Sequence, residues 1–281
     1  MKTPTVCVGG VGGSGTRVIS EILQRSNHHI GSALNPALDN LWFTLLLRQP
    51  AWVTHFPQQS EIQFALTIFK NLMQNDSACS LSKSEIDYIR SRVDSPYYTD
   101  AEKDRWSKVV VELLSRSNSD EHDNAKSAWK EPNTHVFLSQ LSAVFPKIKY
   151  IHVIRNGYYM AYSKNQRQVR AWHKQFDLTL NNEKITPADS LEYWIRANKR
   201  AIDYGTNTLR DRFYLLNYDQ LCKSPEAELS KIYAFIGIDE SESGIRTMAE
   251  AIHSKITNPV DATSFSKDQI QALTEFGYEN N

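Results

Sequence analysis

The chain has 281 residues, 41% of them hydrophobic, and its 32 Lys and Arg balance 32 Asp and Glu to a formal net charge of zero. That length predicts one α/β domain over 1–281 carrying an elaborated insertion, and the neutral balance excludes a general nucleic-acid binder. Three scattered cysteines, Cys7, Cys79 and Cys222, exclude a disulfide framework or a zinc site; with no leader and no apolar run near ~20 residues, the expectation is a cytoplasmic protein without a transmembrane segment.

Val6-Cys7-Val8 reads as a strand, the following stretch to Gly15 as a glycine-rich turn, and Thr16 to Gln24 as a helix that turns Val18, Ile19, Ile22 and Leu23 toward a sheet. A strand that feeds backbone amides into a helix N-terminus is a phosphate cradle. Its glycines permit positive φ and close approach, Ser14 and Thr16 add hydroxyl donors, and the helix dipole favours an anion. A nucleotide P-loop continues Gly-Lys-Ser/Thr, whereas Gly15 is followed here by Thr16 and Arg17.

Asn35 to Leu47 is strongly apolar and predicts a core helix that could also wall a pocket. From Gln58 to Asn118 the period is helical throughout, predicting a helical insertion at about 60–126 whose last helix starts at Thr99-Asp100 with Glu102 behind. Ser115 to Lys126 is polar and predicts a solvated loop. Ser127 to Lys130 reads as a strand, broken by Glu131-Pro132-Asn133 before a helix through Val144. Ile148 to Ile154 is a β-branched, apolar strand; helices follow at Gly157 to Arg167 and Pro187 to Thr206. Phe213 to Leu216 is a later strand, and Pro225 opens a helix that Gly237 ends. Strands alternating with helices predict an α/β fold with a doubly wound, mainly parallel sheet and a crevice at the strand C-terminal ends.

A second anion receptor lies at the end of the Ile148 strand. Arg155 would be delivered at its C-terminal end and Ser163 about two helical turns later, a guanidinium fork and a hydroxyl suited to a terminal phosphate.

These two segments together resemble the sulfotransferases that use 3′-phosphoadenosine 5′-phosphosulfate (PAPS), a family with a P-loop-like fold. Gly12-Gly13-Ser14-Gly15-Thr16 matches the element that cradles the 5′-phosphosulfate; Arg155 and Ser163 match the pair that holds the 3′-phosphate. Trp129-Lys130-Glu131-Pro132 with Phe145-Pro146, and Asn217-Tyr218-Asp219 with Phe235-Ile236-Gly237, echo further family elements, so the likeness spans most of 3–238 outside about 60–126. The resemblance implies PAPS as sulfuryl donor, the desulfonated PAP as product, no metal, and a small-molecule, carbohydrate or lipid acceptor. It also implies donor contacts from Gly12, Gly13, Ser14, Gly15, Thr16, Arg17, Arg155, Ser163 and Tyr218.

The sequence departs from that pattern in three places. Gly13 stands where many members carry a cation, with Arg17 and Lys130 as candidate replacements; the C-terminal basic element has only Lys255 and Lys267 to offer. Pro132 stands where some members have a basic His, so a carboxylate is expected as base: Asp39 first, Glu131 second, with His28, His29 and His135 as further candidates. Trp42, Phe43, Tyr97, Tyr98, Trp106 and Trp172 are candidate pocket walls, each competing with a core role. Two other classes compete: a nucleotide-dependent kinase, for which Asp219 would have to serve the metal, and a non-catalytic nucleotide-binding protein with a degenerate site.

Overall fold

The computed structural model describes residues 4–75, 81–96, 98–115, 126–180, 184–252 and 262–278. Five strands form one parallel sheet: β1 (Val6–Gly10), β2 (His28–His29), β3 (Lys126–Lys130), β4 (Lys149–Ile154) and β5 (Phe213–Asn217), in the order β2-β3-β1-β4-β5. The central strand β1 sets Val6 against Ala128 on one side and against Lys149 on the other. Strand order reverses at β1, so the crevice lies beyond its C-terminal end, where the glycine turn begins.

Alternation along the strands assigns the two faces, as period 2 requires. Val6, Val8, Ile151 and Val153 join one apolar cluster with α1 (Thr16–Arg25), α11 (Pro225–Ile236) and α12 (Glu242–Ala249). Cys7, Trp129, Tyr150 and Ile154 join the other. That second cluster takes in α2 (Leu41–Leu47), α3 (Gln59–Asn75), α4 (Lys83–Val93), α5 (Asp100–Ser115) and α9 (Pro187–Tyr204). Helix α5 starts as its sequence predicts, with the Thr99 amide donating to Glu102 at 2.9 Å and the Glu102 amide to Thr99 Oγ1. Helix α11 ends at Gly237, whose φ of 75° is the left-handed C-cap.

Two expected helices are cut short, each by polar side chains that bond their own backbone. Between Asn35 and Asn40 the chain makes a turn: Asn35 Oδ1 accepts the amides of Ala37 and Asp39, each at 2.9 Å, and Leu38 has a φ of 62°. Pro36 also disfavours helix at Asn35. Helix therefore begins only at Leu41, with Asn40 capping the Phe43 amide. The expected helix Gly157 to Arg167 is split into α7 (Gly157–Ala161) and α8 (Arg167–Trp172). In the gap Ser163 Oγ accepts the Asn165 amide, and Gln166 Nε2 donates to the Ser163 carbonyl at 2.7 Å, so Ser163 sits in a turn and not on a helix.

The segment after Lys130 is a 3-10 turn, Pro132–Phe137, that passes into α6 (Leu138–Val144). Helix α10 (Tyr218–Lys223) follows β5 directly, and α13 (Lys267–Glu275) closes the described chain. The expected loop at 116–125 lies outside the described residues, as do Cys79, Tyr97 and Lys255. Among the described residues no helix is long and apolar enough to cross a membrane.

Candidate functional site

The glycine turn joins β1 to α1 with Gly13 and Gly15 both at a φ of +100°, a conformation L side chains rarely adopt. A Cβ on Gly13 would also stand 3.3 Å from Met160 Cε, which accounts for glycine where a cation was expected. A Cβ on Gly15 would lie 2.7 Å from Tyr218 Cγ and nearer still to Cδ2 and Cε2, so the turn rests on the Tyr218 ring. Gly15 caps α1 with no side chain bonded to the helix start, leaving the first-turn amides of a ten-residue helix to another acceptor.

Ser14 is 1% exposed, and its Oγ is a buried hydroxyl without a hydrogen-bond partner. Such a group costs stability unless something accepts its proton, and here it sits inside the glycine turn. At the end of β4, Arg155 reaches the Gly13 carbonyl through Nη1 at 3.4 Å and stands 5.2 Å from the Tyr218 ring centroid. Its Nε is likewise buried and unpartnered. The loop, Arg155 and Tyr218 are thus brought together. Ser163, half-buried, accepts the Asn165 amide through Oγ at 3.2 Å and keeps its O–H to donate, whereas Arg17 turns to Glu21 at 3.0 Å on an exposed flank of α1.

Beside the glycine turn lies a cleft of about 100 Å³, lined by Gly12, Asp39, Arg48, Glu131 and Gln168 among others. Lys130, 1% exposed, donates to Asp39 Oδ1 and, at 2.5 Å, to the Ala37 carbonyl, so its charge is already neutralised. Asn35 Nδ2 donates to the second Asp39 oxygen at 2.8 Å. The turn that shortened α2 is what aims Asp39 at Lys130.

Glu131 is 3% exposed, and burial, reinforced by the neighbouring Asp39 charge, pushes its carboxyl up to about 7. Its oxygens accept from the Asn133 amide at 2.5 Å, from Asn133 Nδ2 at 2.8 Å and from Thr44 Oγ1 at 3.4 Å. Trp172 Nε1 in turn holds Asn133 Oδ1 at 2.8 Å. A half-ionised carboxyl on a cleft wall is suited to moving a proton near neutral pH.

Gln168, 8% exposed, joins cleft and loop: its Oε1 accepts the Gly12 amide at 2.8 Å, and its Nε2 donates to the Gly10 carbonyl at 3.4 Å. Sequence reasoning missed it, along with Arg48, Tyr193 and Trp194, which also line the cleft. Of the aromatic candidates, Trp42, Phe43, Trp106 and Trp172 lie in the core cluster, and Tyr98 packs against it.

The histidine candidates are structural. His135 is held between the Pro132 carbonyl at 2.8 Å and Tyr193 Oη at 3.4 Å, and burial lowers it to about 3. His28 is buried against the Ser26 carbonyl, with its basicity lowered by burial. His29 is the second residue of β2. Asp219 accepts the Asn156 amide at 2.7 Å, which pins the β4–α7 turn to α10. Lys267 is exposed at the first turn of α13. Among the described residues no cluster of His, Cys, Asp or Glu is arranged to hold a metal ion.

Residues 4–242 match the model of a family described as the sulfotransferase family. No curated protein matches the sequence. Among solved structures, the sulfotransferase domain from the curacin biosynthetic pathway aligns at 14% identity over 100% of this chain and 100% of that one, with a TM-score of 0.51, and shares the fold. The sulfotransferase domain of the Synechococcus PCC 7002 olefin synthase aligns at 16% identity over 99% of this chain and 97% of that one, with a TM-score of 0.49. A mouse sulfotransferase complexed with PAP aligns at 12% identity over 92% of this chain and 69% of that one, with a TM-score of 0.40.

Proposed function

The chain belongs to the sulfotransferase family, and from that premise we propose that it moves a sulfuryl group from PAPS to a hydroxyl or amine of an acceptor held in the cleft beside Glu131. The observation that carries the reading is the pair of buried, unpartnered donors, Ser14 Oγ and Arg155 Nε, at neighbouring strand ends around an uncapped helix N-terminus. Both fit a donor with two anionic ends, and the turn that carries Ser14 is seated on the Tyr218 ring at Gly15.

When bound, PAPS supplies an activated sulfuryl group whose bond to the 5′-phosphate oxygen is the one broken. The amides of Gly13, Gly15, Thr16 and Arg17 and the Ser14 hydroxyl would hold the 5′ end, the Ser14 amide being bonded to the Val11 carbonyl, and there the α1 dipole favours the charge that grows on the departing phosphate. Arg155 would hold the 3′-phosphate, steadied by the Tyr218 ring at 5.2 Å. With Gly13 lacking a side chain, the loop amides and helix dipole carry most of that stabilisation.

Glu131 would take the acceptor's proton as its oxygen or nitrogen bonds the sulfur, while the loop amides and Ser14 would receive the charge left on the 5′-phosphate oxygen of the departing PAP. Asp39 is the less available acceptor because Lys130 and Asn35 already occupy its two oxygens. The same ion pair keeps a negative charge beside Glu131 and so raises its affinity for a proton. Lys130 is then a positioning residue for Asp39 and, through it, a tuner of Glu131.

Calorimetry with PAP against ADP and magnesium, joined to a pH profile with labelled PAPS, tests the assignment. PAP should bind without metal. Because the ionised carboxylate is the base, kcat/KM should rise with pH through about 7, and Glu131→Gln should abolish both the rise and most of the rate. Tighter binding of ADP with magnesium, or an unaltered profile in Glu131→Gln, would sink it.

A further inference from the structure

The charges around the cleft do not cancel. Lys130 is consumed by Asp39 and the Ala37 carbonyl, and Glu131 accepts from Asn133 and Thr44 and bonds no cation. Two cations that line the same cleft, Arg48 and Arg167, make no side-chain hydrogen bond or ion pair among the described residues. Arg48 is the more telling of the two. It is half-buried at the C-cap of α2, yet it bonds none of the carbonyls that end the helix. Its charge is felt at Glu131, where it opposes the upward shift, so its guanidinium lies within electrostatic reach of the proton acceptor. The same guanidinium also lies within electrostatic reach of Glu102 and Tyr98 but bonds neither, so its fork of N–H donors can receive a planar or tetrahedral oxyanion.

We infer that the acceptor carries a carboxylate or phosphate group besides the hydroxyl or amine that is sulfated, and that Arg48 receives this group while Arg167 strengthens the positive field at the cleft mouth. The inference rests on the sulfuryl-transfer reading and adds the acceptor's chemical class. It accounts for a cleft wall that pairs a proton acceptor with a free guanidinium: the anion fixes the acceptor's orientation so that its hydroxyl meets Glu131. Neutral acceptors of the same shape lack that anchor.

Matched acceptors decide the matter on the full chain with labelled PAPS: 3-hydroxybutyrate against its methyl ester, 4-hydroxyphenylacetate against its methyl ester, and glucose 6-phosphate against glucose. In at least one pair the anionic member should be sulfated with kcat/KM roughly 10-fold or more above the neutral one, the scale of one charge-assisted contact. Arg48→Gln should bring that ratio toward one by raising KM for the anion, and Arg48→Lys should retain part of it. Ratios near one in every pair, preference for the neutral members, no transfer to any member while PAP binds, or a ratio that Arg48→Gln leaves unchanged each overturns the inference. Failure of the wild-type protein to bind PAP overturns the transfer reading itself, and calorimetry distinguishes the two failures.

Discussion

Replacing Gly15 by alanine tests whether the loop is held by shape. The added methyl would meet a left-handed backbone, costing roughly 1–2 kcal/mol, and would overlap the Tyr218 ring, with Cγ only 2.7 Å from it. Overpacking of that kind costs typically about 1–3 kcal/mol, so Gly15→Ala should lose about 2–5 kcal/mol in equilibrium urea unfolding. PAP affinity by calorimetry should fall as well, because the ring the methyl displaces is the one against which Arg155 is stacked. The double mutant separates the two costs. Tyr218→Ala removes a nine-tenths-buried ring and is itself destabilising, but in its background the methyl has no ring to strike. Gly15→Ala with Tyr218→Ala should therefore cost about 1–3 kcal/mol less than the sum of the single changes. Strict additivity would refute the reasoning, since it would leave backbone strain as the whole effect and Tyr218 as a bystander.

Gln168→Ala removes both bonds from α8 to the loop and leaves the Gly12 amide without its acceptor; a loss of about 1–3 kcal/mol is expected, with KM for PAPS rising more than kcat falls. Gln168→Glu, which keeps an acceptor for Gly12 but cannot donate to Gly10, should recover part of the stability, and unchanged donor kinetics in both variants would remove Gln168 from the loop's support. His135 and His152, lowered by burial to about 3 and about 4 from 6.5, make the fold acid-sensitive. The unfolded chain binds these protons first, so stability present above about pH 6.5 is lost as pH falls, by up to about 1.4 kcal/mol per pH unit for each residue. Urea midpoints of His152→Gln should fall less steeply between pH 6.5 and 4.5 than those of the parent, and parallel slopes would contradict the assignment.

What could be read in the sequence was what is local. The glycine turn is legible because its backbone demands are met within a few residues. Arg155 is legible because the β-branched run before it fixes where β4 ends. Asn35 to Leu47 misleads because six apolar residues near its end outweigh one Asn-Pro, and the side-chain bonds of Asn35 that break the helix leave no periodic trace. Ser163 was set on a helix for the same reason: Gln166 and Asn165 end it through bonds to backbone and hydroxyl that periodicity does not register. Gln168 was beyond reach, since its bond to Gly12 spans 156 residues and only the folded sheet brings the two together. Strand β2 is two residues long, too short for any alternation to show. Arg48 carries no sequence signal, because its significance lies in the cleft it lines and the bonds it does not make.

The position of β1 at the centre of the sheet also governs when the site can exist. Both of its neighbours come late in the chain: Thr5 bonds Ser127, 122 residues on, and Lys149 donates to Thr5 from further still. Helices α3 to α5 lie between and have near partners of their own, whereas the strand that carries the glycine turn has nothing to pair with until β3 emerges. Contacts of such long sequence separation form slowly and at high entropic cost. The strand that carries the glycine turn is thus among the last elements to pair, and the anion cradle is completed only when β3 and β4 have closed on β1.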